Sequence, residues 1–141
     1  MVPDLVGFGY SDQPDDGKYP LDFFVACRKQ SRELAGVGHC AVGGPSLGGA
    51  VAIGLALAYP ELVGKLILMA PGGMSPREEY LEMPGMQKMF EIYMSEGELS
   101  ARSMRELFAF GLVHDPANVT EELLAERLHI MGLMNTQVML T

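Results

Sequence analysis

The 141-residue chain has few cysteines and few basic residues, and each scarcity excludes a class of function. Cys27 and Cys40 are widely spaced and embedded in apolar sequence, which argues against a disulfide framework or a cysteine metal site and favours reduced thiols. Lysine and arginine number 10 against 18 aspartates and glutamates, so the net charge is -8. This excess of negative charge argues against nucleic acid or an anionic membrane as a partner.

Long hydrophobic runs and targeting signals are also missing from the sequence. The longest apolar run, residues 50–59, is too short to cross a bilayer. Val2, Pro3 and Asp4 follow the initial methionine at once, so no signal peptide is visible. We therefore expect a cytoplasmic protein without a membrane partner, and an apolar content of 48% predicts a globular domain with a real core.

The most informative stretch that is present places Ser46 between two glycines. Gly44, Ser46 and Gly48 form the pattern G-x-S-x-G, in which a strand turns sharply into a helix and leaves the serine exposed at the apex. We expect a Cβ at Gly44 or Gly48 to collide with the returning backbone, and Gly49 to let the helix lie close to the sheet. The N–H of Leu47 would supply half of an oxyanion hole. The alternative is a glycine-rich turn with a capping serine.

The sequence on either side of this serine favours the sharp turn. Residues 39–42 predict a short buried strand, residues 47–58 a helix that is apolar on nearly every face, and residues 65–70 the next strand. Upstream, residues 21–34 predict an amphipathic helix. Strands that alternate with helices indicate an α/β fold with a parallel sheet and right-handed crossovers.

Beyond residue 70 the pattern changes to helices rich in methionine. We therefore divide the chain into a sheet-containing core, residues 1–70, and a helical region, residues 71–141. Flexible thioether side chains suit an adaptable apolar wall. We expect the helical region to form a lid over Ser46, although ordinary helix packing explains most of the same residues.

Four segments resemble the α/β-hydrolase superfamily. They are PDLVGFGYSD at residues 3–12, GPSLGG at 44–49, KLILMAPGG at 65–73 and VTEELLAER at 119–127. The last two look most like the superfamily's carbon–carbon bond hydrolases, which cleave meta-cleavage products in aromatic and steroid catabolism. The resemblance implies a partial α/β-hydrolase fold with a helical lid, and a serine hydrolase that acts on 2-hydroxy-6-oxo-dienoates without a metal or organic cofactor.

The resemblance also implies roles for three residues. Ser46 matches the nucleophile, Leu47 the oxyanion donor and Arg127 an arginine that holds the substrate carboxylate. Arg127 has support from its spacing as well, because it stands four residues from both Leu123 and Met131 and so falls on an apolar stripe. A solvated arginine that lies along the helix is the alternative.

Two departures from the family pattern leave the activity open. Pro45 stands directly before the serine, where the family usually has asparagine, and proline has no donor to offer a substrate. This departure keeps a simple ester or amide as an alternative substrate, which would make the protein a carboxylesterase of the same fold.

The second departure concerns the rest of the catalytic triad. A hydrolase serine needs a histidine base and an orienting carboxylate, which in this fold follow the lid in the order Ser, Asp, His. His39, His114 and His129 do not follow a late core strand, so none is expected to be the base. The sequence therefore predicts a central, catalytically incomplete part of a hydrolase. The alternative is a non-catalytic remnant that forms a homo-oligomer through exposed sheet edges or the lid.

Overall fold

The computed structural model describes residues 1–14, 19–94 and 100–132. These residues form two compact units, the first spanning Met1–Met74 and the second residues 75–132. Among them, no helix is both long and apolar enough to cross a membrane. Each unit has its own buried cluster of apolar side chains.

The first unit is built on a parallel pair of strands. Its elements are helix α1 (Leu21–Leu34), strand β1 (Cys40–Ser46), helix α2 (Leu47–Ala58), a 3₁₀ turn (Pro60–Leu62) and strand β2 (Val63–Pro71). Strands β1 and β2 pair in parallel, α2 packs against both, and α1 packs against α2. The expected α/β class with a parallel sheet is confirmed. The bounds of both helices agree with those predicted, whereas β2 extends beyond the predicted residues 65–70 at both ends.

Apolar contacts between the two helices form the core of this unit. Phe24 and Val25 of α1 are buried with Val51 and Leu55 of α2, and burying each such side chain contributes roughly 1.5–3 kcal/mol. The helices approach closely at Gly54, where a Cβ would lie 2.7 Å from the Val25 Cγ2 atom. Helix α2 therefore lies between α1 and the sheet, and this position explains why its sequence is apolar on most sides.

The expectation of a buried strand over residues 39–42 is wrong. Both His39 and Ala41 are exposed, and Val42 is half-buried. The physical reason is that a parallel pair needs helices on both faces to bury its side chains, and α2 covers one face. Strand β2 shows the same exposure at Leu66, Ile67, Leu68 and Met69.

A buried arginine joins the amino ends of the two strands. Arg32 of α1 is 3% exposed, and its guanidinium donates hydrogen bonds to the carbonyl oxygens of Gly38 and Leu62, the latter at 3.1 Å. Leu62 directly precedes β2, and Gly38 stands two residues before the start of β1. These two carbonyl oxygens partly compensate the positive charge of the guanidinium, which would otherwise be costly to bury.

The second unit is helical. Its elements are α3 (Arg77–Glu82), α4 (Pro84–Met94), α5 (Ala101–Leu107), a π-helical turn (Phe108–Leu112), a 3₁₀ turn (Pro116–Asn118) and α6 (Glu121–Gly132). Buried side chains from α4, α5 and α6, among them Ile92, Met104 and Leu124, form its core. The Thr120 Oγ1 atom accepts the Leu123 N–H at 3.1 Å and so caps α6.

Candidate active site

Ser46 occupies the junction between β1 and α2 with a strained backbone. Its φ is 46° and its ψ is -118°, a conformation that residues with a side chain rarely adopt. The side chain is exposed, and its hydroxyl does not cap α2 or hydrogen-bond to any residue that the structure describes. A hydroxyl that is held at a strained apex and left without a partner is available to react with a ligand.

The glycines around Ser46 do not contribute equally to this geometry. A Cβ at Gly44 would lie 2.6 Å from the backbone carbonyl carbon of Gly48, and one at Gly49 would lie 2.7 Å from the Pro71 Cβ. Both positions therefore exclude a side chain, as expected. The expectation of a collision at Gly48 itself is wrong, because a Cβ there would make an ordinary contact of 3.5 Å with the Pro45 Cδ atom.

The N–H of Leu47 lies at the start of α2. Leu47 is the first residue of this 12-residue helix, and the first four N–H groups of a helix have no acceptor within it. The first turn carries no acidic side chain that would compete for these donors. The helix start can therefore stabilise negative charge beside Ser46, which is the property that an oxyanion site requires.

A backbone hydrogen bond that sequence reasoning missed joins Ser46 to the segment after β2. The Gly72 N–H donates to the Ser46 carbonyl oxygen at 2.9 Å. Just before it, Ala70 has a φ of 42°, and Ser46 and Ala70 are the non-glycine residues with positive φ among those described. Because Ala70 is not a glycine, this conformation could not be predicted from the sequence. The two strained residues lie at the carboxyl ends of neighbouring parallel strands, where α/β proteins bind their ligands.

The histidine of the first unit lies at the opposite end of the sheet. His39 precedes β1, and its imidazole Cε1 atom would be 2.7 Å from a Cβ at Gly64. It stands seven residues before Ser46, which at about 3.3 Å per residue separates the two by roughly 20 Å. His39 therefore cannot act as the base for Ser46 of the same chain. His114 and His129 are exposed residues of the second unit.

Arg127 lies on α6 at the border of the buried face. Its side chain is exposed, whereas Leu123 and Met131, one turn before and after it, are half-buried. It forms no ion pair with a carboxylate in the part of the chain that the structure describes. The nearby Tyr93 hydroxyl contacts the Met131 Sδ atom at 3.9 Å.

Burial and the charge of Arg127 act in opposite directions on the pKa of Tyr93. Burial raises the pKa of Tyr93, and the positive charge of Arg127 opposes part of this rise. No cluster of three or more metal-binding side chains is found within the described ranges.

A family model described as alpha/beta hydrolase fold matches residues 1–135. Among curated proteins, a 2-hydroxy-6-oxo-6-phenylhexa-2,4-dienoate hydrolase of Comamonas testosteroni is 37% identical over 97 residues, covering 67% of this chain and 32% of that protein. A 2-hydroxy-6-oxononadienedioate/2-hydroxy-6-oxononatrienedioate hydrolase of Burkholderia vietnamiensis (strain G4) is 36% identical over 133 residues, covering 93% of this chain and 44% of that protein. The chain therefore spans less than half the length of these relatives.

Solved structures show the same likeness. A meta-cleavage product hydrolase from Pseudomonas fluorescens IP01 superimposes with a TM-score of 0.75 at 27% sequence identity, covering 91% of this chain and 43% of that one. The 2-hydroxy-6-oxo-6-phenylhexa-2,4-dienoate hydrolase from Rhodococcus sp. strain RHA1 gives a TM-score of 0.70 at 28% identity. The expected resemblance to meta-cleavage product hydrolases is confirmed.

Proposed function

Because the chain belongs to the α/β-hydrolase fold family, we propose that it carries the nucleophile of a serine hydrolase, and that this nucleophile is Ser46. The observation that carries the proposal is the strained, exposed serine with an unpartnered hydroxyl at the strand–helix junction. The Leu47 N–H would donate to the oxyanion that forms when the serine or an activated water adds to a carbonyl.

The substrate class that we propose is a 2-hydroxy-6-oxo-dienoate, because the names of the relatives specify substrates of this class. Once the enol of such a substrate has become the keto form, attack on the distal carbonyl gives a tetrahedral oxyanion. Collapse of that species re-forms the carbonyl and breaks the adjacent carbon–carbon bond, whose electron pair leaves as an enolate that is then protonated. The acyl half is released as a carboxylic acid, directly when water attacks and through water hydrolysis of a Ser46 ester when the serine attacks. Ser46 and Leu47 would act at the carbonyl end, and Arg127 would bind the carboxylate at the other end.

We further propose that the acid and base of the triad are supplied by residues other than the three histidines of this chain. The distance of His39 from Ser46 supports this. A fluorophosphonate probe tests it, because such probes modify serines whose base and oxyanion hole are assembled. The purified chain is expected to label slowly. A chimera in which residues 1–135 replace the matching segment of the Burkholderia vietnamiensis enzyme is expected to label rapidly at Ser46.

Intact-mass measurement with Ser46→Ala as the control separates the outcomes. Rapid, Ser46-dependent labelling of the isolated chain would show that a base is present, and the proposed incompleteness would be wrong. A folded chimera that does not label at Ser46 would overturn the assignment of the nucleophile.

For Arg127, we predict that Arg127→Gln in the same chimera raises KM for a dienoate about 10- to 100-fold, as expected for the loss of a charge-assisted contact with the carboxylate. An aryl ester without a carboxylate should be hydrolysed with unchanged KM. Arg102→Gln is the matched control, because Arg102 is 90% exposed and pairs with Glu106 one turn along its helix. An equal effect on both substrates would contradict the proposed role.

A carboxylesterase is the alternative that Pro45 favours, since this exposed proline offers no donor beside the serine. The ratio of kcat/KM for the dienoate and for the aryl ester decides between the two activities. A ratio well below one would assign the protein to ester hydrolysis.

Self-association is a second candidate function, favoured by the exposed apolar side chains of β2. Ile67 is 58% exposed and Met69 is 54% exposed, and an uncovered strand of this kind is prone to association. Sedimentation of the isolated chain would show concentration-dependent dimers or larger species if this holds. The double variant Ile67→Lys/Met69→Lys should then sediment as a monomer.

A further inference from the structure

The end of β2 and the residue after it contact the turn around Ser46 (residues 44–49, the serine turn) at two points. The Gly72 N–H donates to the Ser46 carbonyl oxygen at 2.9 Å. Pro71 lies where a Cβ on Gly49 would come within 2.7 Å, so the start of α2 rests directly against it.

These contacts depend on an irregularity at the end of β2. Pro45 pairs with Met69 and Ser46 pairs with Pro71, so Ala70 is an extra residue without a partner on β1. Such a bulge bends the strand and is often found beside active sites. At Ala70 the backbone is left-handed, with a φ of 42°, and two residues later the Gly72 N–H donates to the carbonyl oxygen of Ser46 at the end of β1.

Packing does not explain the strain at Ala70. Its side chain is exposed, so no buried contact depends on its methyl group. A left-handed conformation is unfavourable for alanine and persists where the surrounding structure requires it. In this structure, the contacts that Pro71 and Gly72 make with the serine turn hold Ala70 in this conformation.

We propose that Ala70 is a positioning residue for Ser46. Its left-handed backbone places Pro71 against Gly49 and the Gly72 N–H on the Ser46 carbonyl, and it thereby fixes the strained conformation that presents the hydroxyl. The positioning role of Ala70 rests on the proposed function in one respect, namely that Ser46 is the reactive group. The backbone arrangement itself can be tested without activity.

The first test compares glycine at two positions of the isolated chain. Ala70→Gly should leave the midpoint of urea unfolding unchanged or raise it, because glycine adopts a positive φ without a steric cost. Ala41→Gly is the matched control, since Ala41 is also an exposed alanine of the sheet but has an ordinary strand backbone, where glycine is unfavourable. An Ala70→Gly midpoint that falls as far as that of Ala41→Gly would overturn the proposal.

The second test uses a β-branched residue, which strongly disfavours a left-handed backbone. Ala70→Val should accelerate hydrogen exchange of the Gly72 amide more than tenfold while the amides of α2 remain protected. Ala41→Val should leave Gly72 exchange unchanged. If Gly72 remains fully protected in a folded Ala70→Val chain, the proposal is wrong.

In the chimera, Ala70→Val should lower kcat and the rate of probe labelling at Ser46 while KM stays the same. A chimera that is unreactive at Ser46 before any change at Ala70 would remove the proposed function but leave the exchange result to decide the positioning role. Accelerated exchange at Gly72 without a change in Ser46 labelling would confine Ala70 to a structural role and overturn the positioning proposal.

Discussion

Replacing Ser46 with alanine is expected to lower kcat for dienoate cleavage by roughly 10³- to 10⁶-fold in the chimera that carries residues 1–135. The loss is large because, in the proposed mechanism, the hydroxyl is the group that adds to the carbonyl or directs the attacking water. Part of the rate survives, since oxyanion donors such as the Leu47 N–H continue to act when the nucleophile is removed. Disappearance of the conjugated dienoate absorbance measures the rate.

Ser31→Ala is the matched control for this loss. The Ser31 hydroxyl donates to the Cys27 carbonyl within α1 at 2.7 Å, so its removal also deletes a hydroxyl but far from the strand–helix junction. The control should keep its full kcat. A Ser46→Ala chimera that retains a tenth or more of the activity would show that Ser46 is not the nucleophile.

The second large effect is expected on the stability of the chain when a glycine of the serine turn is replaced with alanine. Gly44→Ala forces a Cβ to within 2.6 Å of the Gly48 backbone, and this clash cannot be relieved by rotating a side chain. We expect the free energy of unfolding to fall by about 1–3 kcal/mol or more. Urea unfolding of the isolated chain, followed by circular dichroism, measures the change.

Gly48→Ala is expected to act in the opposite direction. A Cβ there meets the Pro45 Cδ atom at 3.5 Å, an ordinary contact, and alanine is favoured over glycine in a helix by roughly 0.5–1 kcal/mol. The two variants add the same methyl group at positions four residues apart, so a stability change of the same sign in both would contradict the geometry of the turn. Equal destabilisation would mean that Gly48 is as crowded as Gly44.

Hydrophobic periodicity predicted the helices of the first unit well because their ends are marked by strong local signals. Pro20 precedes α1, Gly36 follows it, and Pro60 follows α2. The position of Ser46 at a strand–helix junction was also predictable, since the G-x-S-x-G pattern encodes a local backbone demand. These features depend on residues that are close together in the sequence.

Features that depend on the neighbouring strand were not predictable. The left-handed backbone of Ala70 accompanies the hydrogen bond from the Gly72 N–H to the carbonyl oxygen of Ser46, which lies more than twenty residues earlier in the sequence than Ala70. The exposure of Ala41 likewise depends on how many layers cover the sheet. For Arg127, spacing indicated the apolar stripe, but the extent to which the side chain reaches solvent depends on the helices packed beside it.

The buried Arg32 has a consequence for engineering the surface of this protein. It joins the carbonyls that precede β1 and β2, while the Gly72–Ser46 hydrogen bond joins the opposite ends of the same strands. The stagger of the two strands is therefore locked at both ends by groups that do not include the outward-facing side chains of β2. Ile67 and Met69 can accordingly be exchanged for solubilising residues without sliding one strand along the other, which would leave the placement of Ser46 intact during surface redesign.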